Sequence, residues 1–177
     1  MTDALFDKDV LSGVLGGRAK VPEGLKIRPL ELNDYHKGFM QLLTHLTSVG
    51  DVTFEKFRDQ FMAMKNTNPT GYYVIVVEDL ETKQVVGAST LVIELKFIHE
   101  AGVRGRIEDV VVSEKKRGLK LGAALNHCLV ALAKKLGVYK LSLECKDKLI
   151  PFYEQFGYRV DPGNNFLVQR FDGHSKI

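Results

Sequence analysis

A β-branched segment that leads into the longest amphipathic helix of the sequence places the strongest limit on the fold. Val110, Val111 and Val112 are typical of a strand. From about Gly118 to Leu136, apolar residues recur every three or four positions, which predicts a helix with one buried face. Because further strand-like segments lie on both sides of this pair, we predict an α/β chain of the α+β type with a mixed sheet.

The rest of the chain falls into two stretches with different patterns of apolar residues. Before residue 71 we predict an edge strand at residues 25–30 and two helices, capped by Asn33 and Thr53. After residue 71 the predicted strands cover residues 72–77, 85–93, 106–112 and 139–143. A short helix at 150–155 and strands at 158–160 and 166–171 complete the prediction. No linker divides these elements, so we predict a flexible leader over residues 1–23 and one domain over 24–177.

Charge and cysteine usage exclude several classes of protein. The 177 residues include 25 Lys and Arg against 22 Asp and Glu, and this small excess does not suit a protein that coats nucleic acid. The two cysteines cannot build a disulfide framework, and the five histidines lack metal-ligand spacing. No apolar run is long enough for a membrane helix. We therefore expect a cytoplasmic protein without a metal, an integral membrane segment or a nucleic-acid partner.

Basic residues and glycines fill the predicted turn between the valine-rich strand and the long helix. Lys115, Lys116 and Arg117 precede Gly118, and Gly122 lies in the first turn of the predicted helix. The free backbone N–H groups and the positive dipole end of a helix bind phosphate, and glycine allows close approach of the anion. Ordinary helix capping produces the same pattern, so this segment alone leaves both interpretations open. The Walker and GxGxxG strings are absent, which gives P-loop and nicotinamide-binding functions no support.

The segment Arg117-Gly118-Leu119-Lys120-Leu121-Gly122 resembles the acetyl-CoA pyrophosphate loop, [RQ]xxGx[GA], of the GNAT acetyltransferase superfamily. It departs from that pattern at Lys120, where the family has its middle glycine. Five more segments between residues 25 and 171 resemble, in order, the eukaryotic glucosamine 6-phosphate N-acetyltransferases of this superfamily. They are Leu46–Gly50, Lys96–His99, Arg106–Val112, Tyr139-Lys140 and Phe152–Tyr158.

This resemblance implies a GNAT fold, with a largely antiparallel central sheet flanked by helices. It implies that acetyl-CoA is the co-substrate and D-glucosamine 6-phosphate the acceptor. The products would be CoA and N-acetyl-D-glucosamine 6-phosphate, a precursor of UDP-N-acetylglucosamine. It also implies a homodimer in which the partner subunit completes the sugar site.

The resemblance also assigns residues to each part of the site. Those expected to bind acetyl-CoA are Val110, Val111, Val112, Arg117, Gly118, Leu119, Lys120, Leu121, Gly122, Tyr153, Glu154 and Gln155. Those expected to bind the sugar phosphate are Thr47, Lys96, Phe97, Ile98, His99, Glu108, Asp109, Val110, Tyr139, Lys140, Glu144 and Arg170.

Acetyl transfer from a thioester to an amine requires a polarised carbonyl, a neutral amine and a proton for the leaving thiolate. A backbone N–H near Val110 or Val111, freed by a bulge, is a candidate to polarise the carbonyl. Tyr153 is the candidate acid for the sulfur, and Asp109 or Glu144 the candidate acceptor of the amine proton. Without the family resemblance, packing among aromatic residues is the better explanation of Tyr153, and solvation at a strand surface is the commoner explanation of the acidic residues.

The phosphate of the sugar requires cations, and Lys96, His99, Lys140 and Arg170 are the candidates. Two other functions remain open at this stage. One is a GNAT acetyltransferase with a protein amine or a polyamine as acceptor, which would favour an open acidic groove. The other is a non-catalytic acyl-CoA-binding module, for which we would expect the hydroxyl at position 153 to be lost.

Overall fold

A computed structural model describes residues 3–169 and 171, and their centre is a five-stranded sheet. The strands are β1 (Leu25–Pro29), β2 (Tyr72–Asp79), β3 (Val85–Leu95), β4 (Val103–Val112) and β5 (Val138–Leu143). They lie in sequence order, with antiparallel pairing from β1 to β4 and parallel pairing between β4 and β5. The prediction of a mixed, largely antiparallel sheet is therefore confirmed.

Five helices lie between or after the strands of the described chain, and the longer ones coincide with segments in which apolar residues recur every three or four positions. They are α1 (Phe39–Leu43), α2 (Phe54–Lys65), α3 (Ile98–Ala101), α4 (Leu121–Lys135) and α5 (Ile150–Glu154). The first predicted helix is interrupted, because a 3-10 turn at Leu32–Tyr35 precedes α1 and Gly38 between them has a left-handed φ of 83°. The α3 segment is a single distorted turn in which His99 and Glu100 are left-handed.

The core lies between α4 and the central strands. Leu121, Leu125, Cys128, Leu129 and Leu132 form the buried face of α4. The neighbouring strand leaves little space at position 87 of β3, where a Cβ would lie 3.2 Å from Val77 Cγ2 of β2 and in ordinary contact, at 3.5 Å, with Leu125 Cδ1 of α4. The predicted burial of one face of the long helix is thus confirmed.

Residues 3–23, which the sequence predicts to be a flexible leader, contribute to this core. The side chains of Leu5, Phe6, Leu11, Val14 and Ala19 are all buried. The backbone N–H of Leu5 donates to Leu30 O at 2.8 Å, and Lys135 Nζ of α4 donates to the carbonyls of Val10 and Ser12 at 2.9 Å. The apolar residues of this segment are spaced so that they pack against the domain, and burial of their surface favours that arrangement over solvent.

The chain divides into two compact units, residues 1–144 and 145–177. The first contains the sheet and α1 to α4; the second contains α5 and the C-terminal residues. The predicted strands at 158–160 and 166–169 are wrong, because these residues have no regular secondary structure. A strand needs a hydrogen-bonding neighbour, which a local apolar pattern does not provide. No helix among the described residues is long and apolar enough to cross a membrane.

Candidate active site

The turn between β4 and α4 has the conformation expected of an anion-binding loop. Gly118 has a φ of 85°, and a Cβ there would meet no atom within 4 Å. Lys120 occupies the N-cap of α4 with a left-handed φ of 56°. The lysine therefore adopts the backbone conformation for which glycine is best suited, at a cost of about 1 kcal/mol. The helix that follows is 15 residues long and directs its first N–H groups toward this turn.

Two of the three basic side chains before the loop are already paired with carboxylates. Lys116 Nζ lies 2.6 Å from Asp79 Oδ2, and Arg117 Nη2 lies 2.7 Å from Glu114 Oε1. The backbone N–H of Arg117 donates to Glu114 O at 3.2 Å, so the backbone amides of residues 118–122 remain as the main groups for binding a pyrophosphate. This arrangement agrees with a loop that holds its anion through the main chain.

A β-bulge interrupts β4 at Asp109. Thr90 of β3 lies opposite Glu108 and Ala88 lies opposite Val111, so that two residues of β4, Asp109 and Val110, share the single partner Ser89. Asp109 has a left-handed φ of 54°. A bulge disrupts the ladder locally and redirects the backbone groups beside it. The structure thus has a bulge at the position where a backbone N–H is expected to polarise the acetyl carbonyl.

Asp109 itself carries a perturbed carboxyl group. Although the side chain is exposed in part, the surrounding protein displaces enough water to raise the pKa of Asp109, and the nearby charge of Glu108 raises it further. The side chain of Asp109 forms no hydrogen bond or ion pair with any residue in the described part of the chain. A carboxyl group of this kind is suited to accept a proton.

Glu108 and Glu144 are joined by Arg106, a residue that the sequence analysis did not assign to the site. Arg106 Nη2 lies 2.7 Å from Glu108 Oε1 and 2.8 Å from Glu144 Oε1. The last residues paired between β4 and β5 are Ile107 and Leu143, so that Glu108 and Glu144 follow directly where the two strands separate. Burial opposes the charged form of Arg106, but the charges of the two glutamates and its hydrogen bond with Glu108 raise its pKa overall.

Three of the four predicted phosphate cations, Lys96, His99 and Lys140, lie at the other end of the β3–β4 hairpin. Lys96 Nζ is 2.6 Å from Glu94 Oε2, and the ring of His99 packs against that of Tyr139 at 4.3 Å. Lys140 lies in β5 opposite Arg104 of β4. The side chains of Phe97 and Ile98 project into solvent, and Phe97 is 100% exposed.

Among the predicted sugar-site residues that the structure describes, Thr47 is not joined to this cluster. Thr47 lies in the exposed loop after α1, and among the described residues no hydrogen bond or ion pair links it to the other predicted residues. Arg170 lies outside the described residues.

Tyr153 belongs to α5 in the second unit. Its buried ring lies 5.0 Å from Phe152 and 6.1 Å from Tyr158, measured between ring centroids. Burial raises the pKa of Tyr153, and the charge of Cys145 raises it further. The phenol therefore holds its proton at neutral pH, as a general acid must. Glu154 and Gln155 are exposed, and Gln155 Nε2 donates to Pro151 O at 3.3 Å.

The residue types support no metal centre and no acetyl-cysteine intermediate. Within the described ranges, no group of three His, Cys, Asp or Glu side chains is arranged to hold a metal ion. Burial raises the pKa of Cys128 to about 12, and burial also raises the pKa of Cys145. Both cysteines are therefore poor sources of thiolate.

Comparison with known proteins agrees with this geometry. Residues 36–158 match the model of the acetyltransferase (GNAT) family. The chain therefore belongs to the GNAT acetyltransferase family.

Individual relatives indicate which members of the GNAT family this chain is similar to. A protein of Drosophila melanogaster, named as a probable glucosamine 6-phosphate N-acetyltransferase, is 49% identical over 84% of this chain and 67% of its own length. The glucosamine 6-phosphate N-acetyltransferase 1 of Dictyostelium discoideum is 34% identical over 76% of this chain and 85% of its own length. The crystal structure of glucosamine-6-phosphate N-acetyltransferase from Arabidopsis thaliana superposes with a TM-score of 0.80 at 34% identity, covering 85% of this chain and all of that chain.

Proposed function

We propose that this chain transfers the acetyl group of acetyl-CoA to the amine of D-glucosamine 6-phosphate, releasing CoA and N-acetyl-D-glucosamine 6-phosphate. The observation that carries the proposal is the 49% identity, over 84% of the chain, to a relative named for this reaction. Two features of the structure support it. The bulge at Asp109 suits the thioester carbonyl, and the adjacent glutamates, Glu108 and Glu144, suit an ammonium group. The reaction would supply a precursor of UDP-N-acetylglucosamine.

The proposed mechanism is direct attack in a ternary complex. The backbone of Val110–Val112 and the loop 117–122 bind acetyl-CoA, and the bulge presents an N–H group to the thioester carbonyl. The neutral amine attacks the carbonyl carbon, the carbon–sulfur bond breaks, and Tyr153 donates a proton to the departing sulfur. Asp109 takes up the amine proton, directly or through water. The raised pKa of Cys145 supports direct attack over a covalent acetyl-cysteine route.

The acceptor can be tested by measuring thiol release from acetyl-CoA. We expect rapid release with glucosamine 6-phosphate and much slower release with glucosamine 1-phosphate, free glucosamine, spermidine or a lysine peptide. Lys96 and Lys140 are the candidates for binding the phosphate, a group that neither spermidine nor a lysine peptide carries. Equal rates with all amines would contradict the proposed acceptor, and no release with any of them would favour a binding module.

We further propose that the chain forms a homodimer whose sugar site is shared. Three large apolar side chains are exposed close together in sequence at the β3–β4 turn; they are Leu95, Phe97 and Ile98. Such a density of exposed apolar groups is typical of an interface. Light scattering coupled to size-exclusion chromatography should give twice the chain mass of 19.9 kDa. A mass of one chain at micromolar concentration would contradict the dimer.

Two further assignments belong to the same proposal. We propose that residues 24–177 form the acetyltransferase domain, to whose core the segment 3–23 adds its apolar side chains, and that the protein works in the cytoplasm. Both cysteines are free thiols, which suits a reducing compartment.

A further inference from the structure

Arg106 of β4 connects β4 with β5 at the point where these two strands separate. Its Nε donates to Glu108 Oε1 at 3.0 Å, and its Nη2 lies 2.7 Å from the same oxygen. The same Nη2 donates to Glu144 Oε1 at 2.8 Å. One planar guanidinium therefore holds a carboxylate that follows the last pair of β4 and a carboxylate that follows the last pair of β5.

Each glutamate keeps one oxygen for another partner. The hydrogen bonds of Arg106 to the two glutamates go only to Oε1 of Glu108 and Oε1 of Glu144. Within residues 3–169 and 171, neither Oε2 atom has a hydrogen-bond partner. An ionised carboxylate has several acceptor positions, so that each glutamate can receive a hydroxyl or an ammonium group without releasing the arginine.

The charge of this group also suits an amine. Two carboxylates and one guanidinium give 1 − 2 = −1, which matches one ammonium group. Without Arg106 the two glutamates would repel each other, and the site would carry a charge of −2 beside a phosphorylated sugar. Arg106 therefore affects both the geometry and the net charge of the pair.

We propose that Arg106 is a positioning residue of the acceptor site, which holds Glu108 and Glu144 so that their unbonded Oε2 atoms receive the polar groups of an amino sugar phosphate. This inference rests on the proposed function. Arg106 acts through the glutamates, because both of its hydrogen-bonding nitrogens are already directed at them.

The same strand provides a matched control. Arg104 lies two residues before Arg106 in β4, and its Nη2 donates to Ser142 Oγ at 3.0 Å. In an extended strand, residues two apart point to the same face. Arg104 thus carries the same charge on the same face, while its hydrogen bond goes to a serine and not to either glutamate.

The test compares Arg106→Gln, Arg106→Lys and Arg104→Gln by equilibrium binding of glucosamine 6-phosphate and by steady-state kinetics. For Arg106→Gln we expect the dissociation constant of the sugar to rise about tenfold, the effect of losing a hydrogen bond between charged groups. The KM for acetyl-CoA should stay within about twofold, because the backbone holds that ligand. Arg106→Lys keeps the charge but lacks the fork of two donors, so it should restore only part of the affinity. Arg104→Gln should bind the sugar as the parent does.

A double-mutant cycle separates positioning from a general effect on the fold. If Arg106 acts through Glu144, the substitution Arg106→Gln should have a much smaller effect on sugar binding in a Glu144→Gln background. Additive effects, full recovery in Arg106→Lys, or equal losses in Arg104→Gln and Arg106→Gln would each overturn the inference. Thermal unfolding of each variant confirms that folded proteins are compared.

Failure of this inference can be distinguished from failure of the proposed function. If the parent protein does not acetylate glucosamine 6-phosphate, the proposed function is wrong, and the inference fails with it. If the parent acetylates this sugar and Arg106→Gln has the same sugar affinity and kcat, only the role of Arg106 is wrong.

Discussion

At the level of single residues, the contacts distinguish two acidic candidates for the proton acceptor. Glu144 accepts a hydrogen bond from Arg106 at 2.8 Å, whereas the Asp109 side chain has no such partner among the described residues. The pKa of Asp109 is raised by burial and by the charge of Glu108. Because a base works best when its pKa approaches the working pH, we favour Asp109 as the acceptor and Glu144 as a substrate ligand.

The substitution Asp109→Asn should lower kcat and raise stability at pH 7. The folded-state pKa of Asp109 lies above its unfolded value of about 3.9. Its contribution to stability is therefore complete below about pH 3.9 and is lost as the pH rises through the folded pKa. Asparagine removes this cost and tolerates the left-handed φ of 54°. Thermal unfolding should show a higher Tm than the parent at pH 7, and the difference should shrink below about pH 4.

Asp59→Asn, on the exposed surface of α2, serves as the control. It should change neither kcat nor Tm. Unchanged turnover in Asp109→Asn would contradict the role of Asp109 as the base.

The substitution Tyr153→Phe should lower kcat by a factor of about 10² or more while acetyl-CoA affinity stays nearly the same. It removes the proposed proton donor but keeps the aromatic ring that packs beside Phe152 and Tyr158. Because the pKa of Tyr153 is raised, the parent should keep its activity up to at least pH 9 as far as this group is concerned. Steady-state kinetics across pH test both points, and wild-type turnover in Tyr153→Phe would remove the tyrosine from the acid role.

At the level of secondary-structure elements, a buried ion network attaches the segment before α1 to the sheet. Arg28 of β1 donates to both oxygens of Asp34, at 2.7 and 2.8 Å, and to Glu78 of β2 at 2.8 Å. Burial would lower the pKa of Arg28, but its hydrogen bonds to Asp34 and Glu78 raise it overall. Asp34 is fully buried, with 0% exposure, and this arginine donates to both of its carboxylate oxygens in place of water.

The substitution Asp34→Ala should lower the free energy of unfolding by about 3 kcal/mol, because it leaves a buried guanidinium with one partner fewer. Urea unfolding measures this loss. The matched control is Asp59→Ala, which removes a carboxylate that is 72% exposed and 3.1 Å from Arg58. That surface pair should contribute less than about 1 kcal/mol. Equal losses in the two variants would show that the network does not hold this segment.

Glu78 makes the contribution of the same ion network to the free energy of unfolding depend on pH. Its hydrogen bond with Arg28, assisted by Lys37 and opposed by burial, lowers the pKa of Glu78 to about 2. The resulting stability is present above the unfolded pKa of about 4.3 and is lost as the pH falls through the folded value. Between about pH 4 and pH 2, the free energy of unfolding should therefore decline less steeply for Glu78→Gln than for the parent. Parallel curves for the two proteins would contradict this contribution.

At the level of the whole molecule, the N-terminal segment is part of the hydrophobic core. Phe6 is 6% exposed, and its ring meets that of Tyr73 edge to face at a centroid distance of 5.0 Å. Lys65 of α2 donates to Ala4 O at 2.7 Å, while Lys135 of α4 contacts the carbonyls of residues 10 and 12. The segment thus joins elements that are far apart in the sequence.

The substitution Phe6→Ala should reduce the free energy of unfolding by about 3–5 kcal/mol, because a buried aromatic side chain is replaced by a cavity. Leu15→Ala is the control in the same segment, since Leu15 is exposed and its truncation should cost less than about 1 kcal/mol. Chemical denaturation of the two variants provides the comparison. A dispensable leader would give similarly small effects at both positions.

Sequence reasoning identified the elements because local patterns encode them. The β-branched run at Val110–Val112 and the three-and-four spacing up to Leu136 are visible without any tertiary contact. Boundaries were less certain: β4 begins at Val103 and not at residue 106, and α4 begins at Leu121 and not at Gly118. The glycine loop was also recognisable, since its residues are consecutive.

By itself, the sequence determined the mixed sheet, the long buried helix, the acetyltransferase family and the loop that precedes α4. Only the tertiary structure decided that the N-terminal residues join the core, that β4 bulges at Asp109, and that Arg106 connects Glu108 with Glu144. The physical reason is the separation in sequence over which each kind of interaction acts. Periodicity and turn chemistry act within a few residues, whereas the Arg106–Glu144 pair spans 38 positions and forms only when β4 and β5 lie side by side.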